Sequence, residues 1–223
     1  MGSDDFFHKR KVRQARDLSR QKAKRAPYDR ALIVCEGERT EPNYFEELVD
    51  HYRLNSANVM ITGECGSSPM SVVNHARQLY REAKDEGNSF DQVYCVIDRD
   101  DHPDYQKALD AVAKQNTFMP VISIPCFEYW LLLHFVYTDK PFHASGSKSV
   151  SAMVLKELKQ YWPEYQKSMS GVFMRRIGQL EFAKKNAIRA LRSAHSRDFS
   201  NPSTNVHELV TYLQKLKSKP EDS

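Results

Sequence analysis

"LIVCEGERTEPNYF", residues 32 to 45, holds an apolar run that stops at a carboxylate, Glu36, before a glycine and a polar stretch with a proline. An apolar run without alternation is the pattern of a strand covered on both faces, as in a parallel sheet. A second stretch repeats the design: "VYCVIDRDD", residues 93 to 101, ends its apolar run in Asp98 and Asp100. Two buried strands, each finishing in acid, set the terms for the whole chain.

Working outward, Tyr28 to Glu36 reads as the first strand, and Thr40 offers an N-cap to a helix reaching about Leu54, with Glu41 and Pro42 in its first turn. "ANVMIT" (57–62) reads as a second strand. Ser68-Pro69 starts a helix to about Asp85, with Gly87 closing it. Gln92 to Ile97 is the third strand, Tyr105 to Gln115 a helix and "MPVISI" (119–124) the fourth strand. This alternation predicts a doubly wound α/β core. "CFEYWLLLHF" (126–135) reads as a buried helix and 139–149 as a loop. The remainder reads as helices broken around Trp162-Pro163, Gly171 and "NPSTN" (201–205). The expected organisation is a basic arm over 1–27, an α/β core over 28–137, and a loop and helical extension over 138–223 packed on the core.

Forty per cent hydrophobic residues with 11% aromatics is the composition of a globular chain, and 223 residues can bury a substantial core. The longest apolar stretch, Trp130 to Tyr137, is interrupted by His134 and is too short to cross a bilayer. The charged N-terminus has no apolar segment of the signal-peptide kind, so a cytoplasmic protein without a membrane partner is expected. Cys35, Cys65, Cys95 and Cys126 form no CxxC pair. They read better as small buried residues at strand ends than as a zinc site.

The net charge of +4 is unevenly spread: residues 9 to 30 carry ten Lys or Arg against Asp17 and Asp29. Lys9, Arg10, Lys11, Arg13, Arg16, Lys22, Lys24 and Arg25 could bind a phosphate backbone, although a solubilising tail has the same composition. Arg39, Lys148, Arg175 and Arg176 are further candidates for such contacts. Solvated loops and helix faces explain them as well.

In open α/β sheets, functional groups gather beyond the carboxyl ends of the strands. If the two acid-ended strands are neighbours, Glu36, Asp98 and Asp100 converge, and Asp101 and Asp104 add charge nearby. Clustered carboxylates repel one another unless a cation neutralises them, and oxygen donors of this kind suit Mg²⁺ or Mn²⁺. The alternative is an acidic turn that merely starts a helix. Glu128 in "CFEYW" is either an extra ligand or a partner for a basic residue.

Four blocks, "LIVCEGERTEPNYF", "VYCVIDRDDH", "IPCFEYWLLLHF" and "NPSTNVHELV", together resemble the RloB-like proteins of bacterial and archaeal defence loci. The resemblance runs over roughly 25 to 215. That family is itself similar to the Toprim fold, in which a Glu after the first strand acts with a DxD pair after a later one. The resemblance therefore implies a Toprim-like parallel sheet core flanked by helices, with a mainly helical C-terminal extension. It further implies Mg²⁺ or Mn²⁺ at Asp98 and Asp100, with Glu36 as a further ligand or general acid/base and Glu128 and Asp101 as additional ligands. The activity it implies is a metal-dependent nuclease of anti-phage defence, acting on tRNA, other RNA or DNA under the control of an ATPase partner. The competing expectation is a non-catalytic module that binds nucleic acid or an ATPase around a structural ion. Neither the substrate nor the oligomeric state is legible in these residues.

Overall fold

The computed structural model describes residues 29–217 apart from 56, 67, 100, 101 and 198. The basic arm, with Lys9, Arg10, Lys11, Arg13, Arg16, Lys22, Lys24 and Arg25, lies outside the described residues, as do Asp100 and Asp101.

The chain runs β1 (Ala31–Cys35), α1 (Thr40–Tyr52), β2 (Val59–Thr62), α2 (Pro69–Asp85), β3 (Gln92–Asp98), α3 (Tyr105–Ala113) and β4 (Phe118–Ile124). It continues through α4 (Glu128–Leu132), α5 (Val150–Tyr161), α6 (Val172–Arg176), a 3₁₀ turn (Ile177–Gln179), α7 (Leu180–Arg197), β5 (Ser203–Thr204) and α8 (Val206–Lys217). The strands form one sheet in the order β2-β1-β3-β4-β5, with β5 alone antiparallel. A mostly parallel sheet flanked by helices, followed by a helical C-terminal region, is the expected α/β class.

Alternating side chains of β1 supply two cores. Ala31, Ile33 and Cys35 face a large aromatic cluster with Tyr44, Phe45, Phe127, Trp130, Trp162 and Phe173. Leu32 and Val34 face a smaller one with Val72, Val73, Cys95, Ile97 and Val112. Every residue of β1 is buried, which is why its sequence shows no polar alternation. The larger cluster draws on α1, α4, α5, α6, α7 and α8, so the helical region covers one face of the sheet.

Three details differ from the sequence expectation. Thr40 is the first helical residue of α1, not its cap; Arg39 precedes it without a side-chain cap bond. "CFEYWLLLHF" contributes only a short helix, α4, although its residues are almost all buried. "NPSTN" contains β5, joined to β4 through Ser203 and Thr204. The capping of α2 is as expected and more elaborate: Ser68 and Ser71 satisfy each other's backbone N–H groups, with Pro69 opening the helix. No helix among the described residues is long and apolar enough to cross a membrane.

Candidate functional site

The sheet order places its topological switch between β1 and β3, where successive crossovers leave in opposite directions and open a crevice beyond the strand ends. Cys35 pairs with Val96, so Glu36 emerges beside the end of β3. The Glu36 carboxylate accepts a hydrogen bond from the Asp98 backbone N–H at 3.1 Å, and the Glu36 N–H donates to Val96 O at 3.1 Å. The two acid-ended strands are neighbours, and Glu36 and Asp98 line one cavity.

A cavity of about 630 Å³ lies there, lined among others by Glu36, Arg39, Glu41, Asp98, Glu128 and Lys167. Asp98 is held well above the usual carboxylate range by burial and by the charges of Glu41, Glu128 and Glu36, against one stabilising hydrogen bond from the Phe127 backbone. Glu128, 3% exposed at the start of α4, pairs with Lys167 Nζ at 3.3 Å. Glu41, in the first turn of α1, is pushed up to about 7, chiefly by burial and further by Glu128, while its own backbone N–H and Lys167 oppose the shift. Its carboxylate rests against Gly37, where an added Cβ would come within 2.0 Å of Oε2.

Lys167 and Ser168 come from the segment between α5 and α6, and α1 fixes that segment in place. Thr40 Oγ1 accepts from the Ser168 N–H at 3.2 Å. The Glu47 carboxylate accepts from the N–H groups of Gly171, Phe173 (2.9 Å) and Met174 (3.4 Å), filling the open donors at the start of α6. Tyr165 is fully buried beside Thr40, Glu41 and Glu128, and its hydroxyl lacks a well-formed hydrogen bond among the described residues.

Of the sequence candidates, Glu36, Asp98, Glu128 and Arg39 share this cavity. Lys148 lies in an exposed turn bridged to Ser145, and Arg175 is exposed on α6. Arg176 lies over the rings of Phe135 and Trp162 at 4.6 and 4.4 Å, which commits its guanidinium to packing. Asp104 turns away to the start of α2, where Oδ2 accepts from the Met70 N–H at 3.4 Å. Sequence reasoning missed Glu41 and Lys167 as site residues. The signal for Glu41 was present, an acid beside a proline in a helix's first turn directly after the strand; Lys167 had none.

The fit of these residues to a cation can be judged from their chemistry. Among the described residues no group of three or more His, Cys, Asp or Glu side chains is arranged to hold a metal ion. The donors themselves are hard oxygens of the type that Mg²⁺ or Mn²⁺ takes, and mutual repulsion adds to the burial that raises the proton affinity of Asp98 and Glu41.

The family model for RloB-like proteins matches residues 31–213. The chain belongs to the RloB-like family. That match takes in β1 through most of α8 and therefore every wall of the carboxylate cavity. Neither curated proteins nor solved structures give a match.

Proposed function

We propose that this RloB-like protein is a Toprim-like, Mg²⁺- or Mn²⁺-dependent nuclease that cleaves phosphodiester bonds of RNA or DNA in anti-phage defence, with an ATPase partner controlling it. The observation that carries the reading is the convergence of Glu36, Glu41, Asp98 and Glu128 at the sheet's switch point, with Lys167 beside them. A structural acid cluster would be expected to pair each carboxylate with a base. Here Glu41, Asp98 and Glu128 share one ammonium, that of Lys167, and Asp98 faces three other acids.

Asp98 and Glu36 would hold the cation, with Asp100 added from the sequence pattern. A bound divalent ion supplies charge stabilisation to a transferred phosphoryl group. Lys167 keeps Glu128 in place, and its side chain, 60% exposed, would offer the ammonium to a phosphate oxygen. Glu41, with a proton affinity near neutral, is suited to hold or release a proton inside the cavity. The basic arm would add affinity for any phosphate backbone without choosing sequence.

The test is incubation of purified protein with Mg²⁺ or Mn²⁺ and tRNA, single-stranded RNA, and single- and double-stranded DNA, beside folded Asp98→Asn and Glu36→Gln proteins. Metal-dependent cleavage by the wild type alone is expected. Wild-type protein that takes up neither ion in a titration would sink the catalytic reading and favour a binding module.

A further inference from the structure

Asp98 and Arg99 are consecutive, yet they line different cavities. The second cavity, about 610 Å³, lies beyond the end of β4 between the start of α5 and the end of α7. That volume is within the range of small-molecule sites and accommodates a nucleotide. Among the described residues its lining holds no carboxylate, unlike its neighbour's. The carboxylate cavity sets five acids, Glu36, Glu38, Glu41, Asp98 and Glu128, against Arg39 and Lys167, whereas Arg99 carries the only permanent charge among the described residues lining the second.

We infer that this second cavity is a nucleotide subsite, which takes the base and phosphate of the nucleotide adjoining the phosphodiester held at the carboxylates. Ile124, Pro125 and Leu191 give it apolar walls, and Phe199, 46% exposed, brings to the lining an aromatic ring on which a planar base would stack. Stacking of this kind tolerates any base. Arg99 is prepositioned at the junction: it donates to Ser200 Oγ, and its guanidinium lies 5.5 Å from the centroid of the Tyr105 ring. One donor is spent on Ser200, and the others remain for a phosphate. His195 on the rim can hydrogen-bond a base edge or sugar hydroxyl. The start of α5, capped by Ser149, adds a positive dipole end to the same cavity.

The chemistry recognised is that of a nucleoside phosphate, and the position beside Asp98 assigns it to the substrate strand. This inference rests on the nuclease reading for its orientation, but it is tested without catalysis. Nucleoside 5′-monophosphates are titrated in EDTA into wild type, Phe199→Ala, Arg99→Gln and Asp98→Asn, with Phe199→Trp fluorescence as a second reporter of stacking. Binding is expected to weaken about tenfold in Phe199→Ala, in line with the loss of one stacked base. Arg99→Gln should weaken it comparably, and Asp98→Asn should leave it intact. A single-stranded oligonucleotide should displace the bound monophosphate. Absent binding, or binding indifferent to both Phe199→Ala and Arg99→Gln, overturns the subsite. Binding that no oligonucleotide displaces overturns it in favour of a free-nucleotide site. Cleavage measured in parallel with Mg²⁺ separates the two ideas, because loss of the nuclease reading leaves the titration result standing.

Discussion

Glu41 is a buried carboxyl set among other acids beyond the strand ends. It is 7% exposed, faces Glu128, and has Lys167 as its opposing charge. Its folded-state proton affinity, near 7, lies above the value of 4.5 for a free side chain. The folded chain therefore holds this proton more tightly than the unfolded one, and the stability gained is present below pH 4.5 and lost as pH rises through 7. The loss is on the order of 3 kcal/mol, at about 1.4 kcal/mol per pH unit. Glu41→Gln should accordingly stabilise the metal-free protein at pH 8, with the advantage shrinking towards pH 4.5. Urea titrations in EDTA at several pH values measure this. A constant difference across the range would mean that Glu41 is satisfied as an anion. Added Mg²⁺ should narrow the gap at pH 8, since an ion bound by the folded state stabilises it by mass action.

At the scale of elements, the site depends on two glycines in the loops that follow β1 and β2. A Cβ on Gly63 would lie 2.2 Å from Gly37 O and 3.0 Å from Glu38 Cα, both backbone atoms that cannot swing aside. Gly63→Ala should therefore cost stability at the upper end of the roughly 1–3 kcal/mol typical of overpacking. It should also displace the Gly37 loop that supports the Glu41 carboxylate. Denaturant melts report the first effect; loss of the pH-dependent gain from Glu41→Gln in a Gly63→Ala background reports the second. The same loops explain what could be read in advance. Glu36 and Asp98 were legible because an unbroken apolar run fixes where a parallel strand ends, and strand ends are where such sheets keep their chemistry. Glu41 is legible only as a first-turn acid of α1, because its burial comes from the approach of loops distant in sequence. Lys167 was beyond reach, since its place is set by Thr40 and Glu47 holding the backbone after it. β5 escaped for a different reason. Its two residues have too little pattern to read, and side chains secure its pairing: Ser123 Oγ and Thr204 Oγ1 lie 3.0 Å apart, while Asn205 accepts from Ile122 N and donates to Pro120 O.

For the molecule as a whole, the sheet's two faces are covered unequally, and the aromatic face joins the α/β core to the helical region. His134 lies inside that junction, 2% exposed, with ring centroids 4.9 Å from Trp130 and 6.5 Å from Tyr44. Nδ1 is 3.1 Å from Trp130 O, an arrangement in which it donates, while Nε2 is buried with no hydrogen-bond partner among the described residues. Protonation would place a charged second N–H among rings, so burial drives its proton affinity down from 6.5 to about 4. The unfolded chain then takes up this proton first. His134 contributes stability in full above pH 6.5, and that contribution falls away as pH drops towards 4, by an amount on the order of 3 kcal/mol. Glu41 acts in the opposite sense over nearly the same interval, so the wild-type stability profile between pH 4.5 and 7 should be flatter than either group alone would make it. Asn in place of His134 can keep a donor for the Trp130 carbonyl and cannot titrate. His134→Asn should lower stability at pH 7.5 through lost ring packing, yet gain stability on acidification relative to the wild type. In that background the rise in stability on acidification due to Glu41, to which the raised Asp98 adds, should emerge unmasked, and Glu41→Gln added to it should reduce the rise. Urea midpoints at pH 4.5, 6 and 7.5 for wild type, both single variants and the double variant give the complete cycle. Parallel profiles for wild type and His134→Asn would show that the imidazole takes up its proton without opening the junction, and would overturn its assignment as the acid-sensitive group of the fold.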